Sequence, residues 1–488
     1  MTLARKKTLS LVAFSLLVFV TLAHAQKSAT TQPNILLILV DDLGKEWISC
    51  YGAEDIETPH IDELAEQGTK FERFYVMPQC TPTRVSLLTG QYPFRHGWVN
   101  HWDVPRWGAG AHFDEKLNPA LPLQLKKAGY QTCIAGKWQI DDFRVEPDAL
   151  AKVGFDTYCM WTGGETGIPA SNERYGDPYI YENGKSQTHE GAFGPDVFKD
   201  FIIDFIVTHR DQPMFIYYPM VLTHTPFVDT PDEKADDNLG KHKAMVRYAD
   251  KITGELVAAL ESADIREKTL VLWTTDNGTT GQISGHVRGE LIKGGKSKTQ
   301  EPGISVPFIA SWPDKVAAGK TSSALIDITD VLPTCIQLAG LTPPNIWETS
   351  HGRQTIDGRS FANVLVNGSD ASDRTWILSM GGGNFARRTE LGVENQYRFR
   401  DRVISSGALK LYYGADRNPS ACYDLTVDPF EKKNILNIAM DPGDKAQLDL
   451  LLEVCEQFPA EDRDPQYQPN PAQSWDVPIT AESQQWKQ

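Results

Sequence analysis

The stretch Cys80-Thr81-Pro82-Thr83-Arg84 puts a thiol four residues ahead of a guanidinium, and it continues as Val85-Ser86-Leu87-Leu88-Thr89-Gly90. A nucleophile at Cys80 reads as sitting at a helix N-terminus, where aligned peptide dipoles favour an anion. Taken alone, the five residues fit equally well a buried cysteine beside a proline turn. Asp41-Asp42 and Asp276-Asn277 each lie just past an apolar run, at the edge where open α/β sheets bind ligands. Singly, each pair reads as a turn or a helix cap. Brought together, three carboxylates cost on the order of several kcal/mol in repulsion and desolvation unless a cation sits among them. Oxygen ligands of this kind select a hard cation, calcium or magnesium, rather than zinc. Asn277-Gly278-Thr279 also spells a glycosylation sequon, which a place at a metal would rule out. Positive charge comes from Lys137 in Gly136-Lys137-Trp138 and from Lys296 in Gly294-Gly295-Lys296, with Glu301 five residues on. His224, in His224-Thr225-Pro226-Phe227, titrates near neutrality in its ordinary state and is a candidate general acid.

Together these stretches resemble the formylglycine sulfatases of the alkaline phosphatase superfamily, whose motif is Cys-x-Pro-x-Arg followed by Leu-Thr-Gly. The resemblance runs from Asn34 to about Lys433 and closes on Tyr423-Asp424-Leu425 with Asp428-Pro429. It implies that a separate maturation enzyme oxidises Cys80 to an aldehyde, whose hydrate is the nucleophile and whose charge Arg84 stabilises. A serine attacking sulfur would be left as a stable sulfate ester, whereas a geminal diol attacks with one oxygen and expels sulfate with the other. The resemblance further implies one calcium ion held by Asp41, Asp42, Asp276, Asn277 and the group at position 80. Lys137, Lys296, His224 and Gln139 then line the substrate, a sulfated small molecule or glycan.

Two places depart from the family pattern. Where many members have histidine after Lys-Trp, this chain has Gln139, which hydrogen-bonds but is no base at neutral pH. A positioned base is worth about 10²–10⁴ in rate; His101 is a candidate substitute. Glu301-Pro302-Gly303-Ile304-Ser305 replaces Glu-Gly-Gly-x-Arg, so the loop there is expected to change shape. The implied activity is hydrolysis of sulfate monoesters, on a carbohydrate. A phosphomonoester or phosphonate hydrolase with the same nucleophile stays open, as does a sulfated-glycan-binding protein without turnover. Trp98, Trp102, Trp107 and Trp138 either stack on sugar rings or pack a core.

Elements of matching type must carry these residues. Asn34–Val40 is an unbroken apolar run, the mark of a strand covered on both faces. Thr58-Pro59 opens a helix to Glu66, Phe71–Val76 is extended, Pro122–Ala128 helical and Gln131–Ala135 a strand. Asp196–Thr208 is an amphipathic helix, Met214–Tyr218 a strand, Ala244–Ser262 a helix and Thr269–Thr275 a strand. The alternation gives an α/β fold with a large, mostly parallel central sheet flanked by helices, which the resemblance makes alkaline phosphatase-like. Past residue 370, Trp376–Met380, Tyr397–Val403, Leu409–Tyr413 and Cys422–Leu425 read as short strands, followed by a helix over Asp444–Cys455. A smaller antiparallel sheet with one helix is therefore expected over 371–457, after a catalytic unit at 26–370. Residues 458–488 read as an irregular tail.

Arg5, Lys6 and Lys7, the apolar run Leu9–Leu22 and Ala23-His24-Ala25 read as an export signal over 1–25, giving a secreted or periplasmic chain cleaved near Ala25. No later run is long and apolar enough to cross a bilayer. Loss of those three basic residues takes the formal charge from -16 to -19, which repels nucleic acid and anionic membranes. The 7 cysteines show no CxxC spacing, so a zinc site is not expected.

Overall fold

Strand Asn34–Val40 sends alternate side chains to opposite sides of a sheet. Ile35, Leu37 and Leu39 enter one apolar core, while Leu36, Ile38 and Val40 enter the other. That explains its lack of polar alternation, since both faces are buried. The computed structural model describes residues 32–99, 109–141, 143, 146–161, 174–350, 352–381, 386–389, 392–395, 398–463 and 467–469. The export signal and its cleavage point, His101, Trp102, Trp107 and most of the tail lie outside these residues.

Residues from Pro33 onward form one compact unit. Its main sheet has 10 strands, and the central five run parallel in the order Thr269–Thr275, Asn34–Val40, Met214–Pro219, Gln131–Lys137, Thr157–Trp161. Antiparallel strands extend both edges, Phe308–Ser311 on one side and Tyr179–Glu182 on the other. Helices Gly194–His209 and Asn238–Ser262 cover one face; Cys80–Thr89, Leu121–Lys127 and Val331–Leu338 cover the other. No helix among the described residues is long and apolar enough to cross a membrane.

Several boundaries differ from the sequence reading. The run Phe71–Val76 splits, with Thr69–Phe71 joining the main sheet and Phe74–Tyr75 pairing with Ile326–Asp327. The long helix starts at Asn238 because the Asp237 carboxylate caps it, accepting from the Gly240 amide at 2.7 Å; its polar first turns hid that start. The tail holds one short strand, Tyr467–Pro469, which pairs with Ala109–Ala111, and Asp462 meets Arg402 at 2.7 Å. Partners this distant in sequence leave no local pattern.

The smaller sheet is antiparallel in the order Ile377–Met380, Arg402–Ser405, Leu409–Tyr413, Pro419–Asp424, and helix Pro442–Glu456 packs on it. It is tied to the Lys296 loop through a fully buried ammonium. Lys410 Nζ lies 3.0 Å from Glu301 and 2.9 Å from Glu431. Glu431 also accepts from the Glu301 amide at 2.8 Å and from the Tyr412 hydroxyl. The turn Glu301–Ile304 held in this way bonds the Gly278 amide through the Gly303 carbonyl at 3.0 Å. Gly278 and Gly295 both pack flat on its backbone, and a Cβ at Gly278 would come within 1.8 Å of the Pro302 carbonyl oxygen.

Removing the shared cation strands two carboxylates. Lys410→Met is expected to cost about 3–5 kcal/mol in chemical denaturation, with part of the loss restored in Lys410→Met/Glu431→Gln. Asp250, buried under helix Pro59–Glu66, accepts from the Ile61 amide at 2.8 Å, and burial pushes its carboxyl up to about 6 from an ordinary 3.8. The folded state keeps a proton there across a window in which the unfolded chain has lost it, so this group's contribution to stability falls as pH rises from about 4 to 6 and then levels. Melting curves of wild type and Asp250→Asn should therefore diverge over that window, by an amount on the order of 1–3 kcal/mol.

Candidate active site

Gln79 is extended, and the chain turns directly into helix Cys80–Thr89, with Pro82 in the first turn and Gly90 left-handed at its end (φ 65). All ten of its residues are buried. First-turn amides lack intrahelical acceptors, so Cys80 sits where the helix favours negative charge. Arg84, one turn on, points into the sheet edge. One terminal nitrogen lies 2.7 Å from Asp276 Oδ2 and 3.8 Å from Asp41 Oδ1, and the other donates to the Lys137 carbonyl at 3.0 Å. Arg84 thus braces the carboxylates, while its Nε is buried without a hydrogen-bond partner among the described residues.

The two acidic pairs meet because their strands run in register, Val40 opposite Thr275. Asp42 adopts a left-handed backbone (φ 57), unusual for a side chain with a Cβ. Its amide donates to Asp276 Oδ1 at 3.1 Å, and its Oδ1 accepts from the Asn277 amide nitrogen at 2.8 Å. Lys137 Nζ lies 2.7 Å from Asp41 Oδ2, and Lys296 Nζ lies 2.6 Å from Asp42 Oδ2. The Thr223 hydroxyl is 3.3 Å from the carbonyls of both aspartates. Thr223 and Gln79 were missed in the sequence, where neither stands in a recognisable pattern.

Electrostatics follow from burial and these contacts. Burial would raise the Asp41 carboxyl, yet Lys137, His224, Arg84 and Lys296 hold it well below the carboxylate range. Asp276 goes the other way, to about 7, through burial and repulsion from Asp41. Two buried oxygens, Asp41 Oδ1 and Asn277 Oδ1, receive no hydrogen bond. An anionic, oxygen-rich set with unspent oxygens fits a hard divalent cation. Asp41, Asp42 and His224 each place a ligand atom within 4.8 Å of the others. Asp276 stands beside them with both oxygens engaged, by Arg84 and by the Asp42 amide, just as both oxygens of Asp42 are engaged by Asn277 and Lys296. Asn277 is fully buried, which excludes the glycosylation reading.

His224 Nδ1 donates to the Thr225 carbonyl at 2.7 Å, which leaves Nε2 turned towards Asp42 Oδ2, 3.7 Å away. Burial and the Lys296 charge push its pKa down to about 3, so the ring is neutral at pH 7. Lys137 ends a strand that Gly136 (φ 121) lets pass against the Pro219 carbonyl, where a Cβ would come within 2.1 Å. Gln139, also left-handed (φ 59), lies beside the nucleophile helix, its carbonyl 3.4 Å from the Thr81 hydroxyl and its Oε1 buried without a partner. Trp98 and Trp138 are buried, so both pack the core rather than face a sugar. At the altered loop, Lys45 Nζ reaches Ser305 Oγ at 2.8 Å and the Glu72 carbonyl at 2.7 Å, bringing a cation to the place where the family motif has arginine.

The sequence profile of the sulfatase family matches residues 33–341. The N-acetylgalactosamine-6-O-sulfatase of Bacteroides thetaiotaomicron is 28% identical over 476 residues, covering 83% of this chain and 89% of that protein. Human N-acetylgalactosamine-6-sulfatase is 31% identical over 362 residues, covering 70% of this chain and 67% of that one. Among solved structures, that of Ps i-CgsB superposes with a TM-score of 0.70 at 26% identity, covering 89% of this chain and 94% of the other. With the carboxylates, lysines and Cys80 gathered at one sheet edge and the profile spanning more than half its length, this chain belongs to the sulfatase family and is a sulfuric ester hydrolase.

Proposed function

We propose that the chain hydrolyses sulfate monoesters on a carbohydrate, using a formylglycine formed from Cys80 and one calcium ion. The observation that carries this reading is the pair of unspent buried oxygens, Asp41 Oδ1 and Asn277 Oδ1, beside two ammonium groups at the N-terminal end of the Cys80 helix. The names of the bacterial and human relatives support a sulfated amino sugar as substrate class. Asp41, Asp42, Asp276, Asn277 and the group at position 80 would hold the ion. When present, calcium supplies positive charge to the sulfate oxygens and the hydrated aldehyde supplies the attacking oxygen.

The chain's own residues do the rest. Lys137 and Lys296 draw in the sulfate and neutralise it within a buried, low-dielectric pocket. Arg84 keeps the aspartates fixed, so the site need not reorganise when charge develops. The Thr225 carbonyl fixes the tautomer of His224 and keeps its Nε2 facing the site. An anion beside Nε2 raises its proton affinity, and His224 then holds a proton there for the departing alcohol oxygen. Gln139 orients by hydrogen bonding and takes up no proton. The basic start, the apolar run and Ala23-His24-Ala25 support export with cleavage near Ala25, and an oxidising maturation enzyme is the partner this reading requires.

Sulfate release from 4-nitrophenyl sulfate should fall to background in Cys80→Ala, and mass spectrometry of active wild type should find an aldehyde in place of the thiol at position 80. Wild-type rates in the alanine variant, or faster turnover of the matched aryl phosphate, would count against the reading. Calcium added to metal-stripped protein should raise the melting temperature, worth about 2.7 kcal/mol at a hundredfold excess over Kd. Asp41→Asn should abolish that rise.

A further inference from the structure

His224 follows strand Met214–Pro219 on a loop that is gripped from two sides. On one side the Asp41 amide donates to the Leu222 carbonyl and the Thr223 amide to the Asp41 carbonyl, both at 2.7 Å. On the other side stand Arg174 and Tyr175, both buried and neither used by the chemistry derived above. The Tyr175 hydroxyl lies 2.5 Å from the His224 carbonyl and 2.9 Å from the Val221 carbonyl and shares its proton between them. The Arg174 guanidinium donates to the Thr225 carbonyl at 2.6 Å. That same carbonyl accepts from His224 Nδ1 at 2.7 Å. A carbonyl oxygen has two lone pairs. Here the imidazole takes one and the guanidinium the other, so the acceptor that orients the ring is itself held.

Arg174 has little freedom of its own. Its guanidinium lies over the ring of Trp161, 4.3 Å from the centre, and Trp161 ends a strand of the main sheet. A planar cation stacked on an aromatic face keeps its orientation. The Arg174 carbonyl packs against the start of helix Gly194–His209, where a Cβ at Gly194 would come within 2.0 Å of its oxygen. The Gly194 amide donates to the Tyr175 carbonyl at 2.6 Å. The pair is thus anchored to a strand and a helix, while the histidine it touches sits on a loop. Such a brace matters most for a proton donor. When the sulfur–oxygen bond breaks, its electron pair stays on the alcohol oxygen, and a proton held at Nε2 has to lie in line with that oxygen as charge builds. A misplacement of about 1 Å costs on the order of 10² in rate.

We propose that Arg174 and Tyr175 are positioning residues for proton donation by His224, acting through the Thr225 and His224 carbonyls. This rests on the sulfatase reading with His224 as its acid, and adds what keeps that acid aimed. The test uses 4-nitrophenyl, phenyl and 4-methoxyphenyl sulfate, because 4-nitrophenolate departs with little help whereas the more basic phenolates need a proton. Its readout is kcat/KM for the 4-methoxyphenyl ester relative to the 4-nitrophenyl ester, a ratio that general damage to the site would not move. Arg174→Gln is expected to lower it by at least about tenfold. Tyr175→Phe, which removes one hydroxyl and keeps the ring, should shift it in the same direction. Arg174→Lys keeps a charged donor for the Thr225 carbonyl and should recover part of the loss. A ratio unchanged in every folded variant of the pair, including a fall of equal size on all three esters, overturns the brace alone when His224→Ala lowers the ratio. A ratio unchanged in His224→Ala removes the acid and the brace with it. No sulfate release by wild type from any of the three esters overturns the sulfatase reading itself.

Discussion

Three aspartates forced together out of water are the constraint around which this molecule is arranged. Like charges at such range repel strongly in a buried setting, and each loses its hydration. The protein answers with Arg84, Lys137 and Lys296, each reaching in from a different segment. The carboxylates do not share the burden equally. Asp41 is kept ionised by the cations around it, while Asp276 is pushed towards neutrality.

The fold serves that arrangement at several distances. Parallel strands in register deliver Asp41 and Asp276 side by side at their C-terminal ends, the edge where open α/β sheets place their ligands. One helix carries both Cys80 and Arg84, one turn apart, so Cys80 and the brace on the aspartates move as one body. The left-handed backbones at Asp42 and Gln139 lie where chains leave strands and must turn sharply towards the same centre. Behind the Lys296 loop stands the Lys410 cluster, which gives a surface loop the rigidity of a core.

Much of this was legible in the residues themselves. Asn34–Val40 announced itself as a doubly buried strand and Thr269–Thr275 as a second apolar one, and the polar residues just beyond them pointed to the sheet edge. The residue types at 41, 42, 84, 137, 224, 276, 277 and 296 are those the structure draws together, with Cys80 near enough for its charge to act on Arg84 and Lys296. What was hidden was how each is used. Arg84 turns to the aspartates because Asp276 lies 2.7 Å away, a contact spanning almost two hundred residues that no local spacing encodes. The pKa of His224 is lowered because burial and a lysine from another segment disfavour its charged form. Lys45 meets Ser305 across the fold, a contact invisible in either stretch alone.

The buried ammonium of Lys410 has a consequence for where the working unit ends. The stretch matched by the family profile stops at residue 341, yet the groups that hold Glu301 in place come from positions 410 and 431. A chain cut at the profile's limit would keep every residue drawn to the sheet edge and lose the support beneath one of its lysines. The boundary drawn by sequence kinship and the boundary drawn by mechanical dependence therefore do not coincide in this protein, and the second is the one any attempt to shorten or graft it would have to respect.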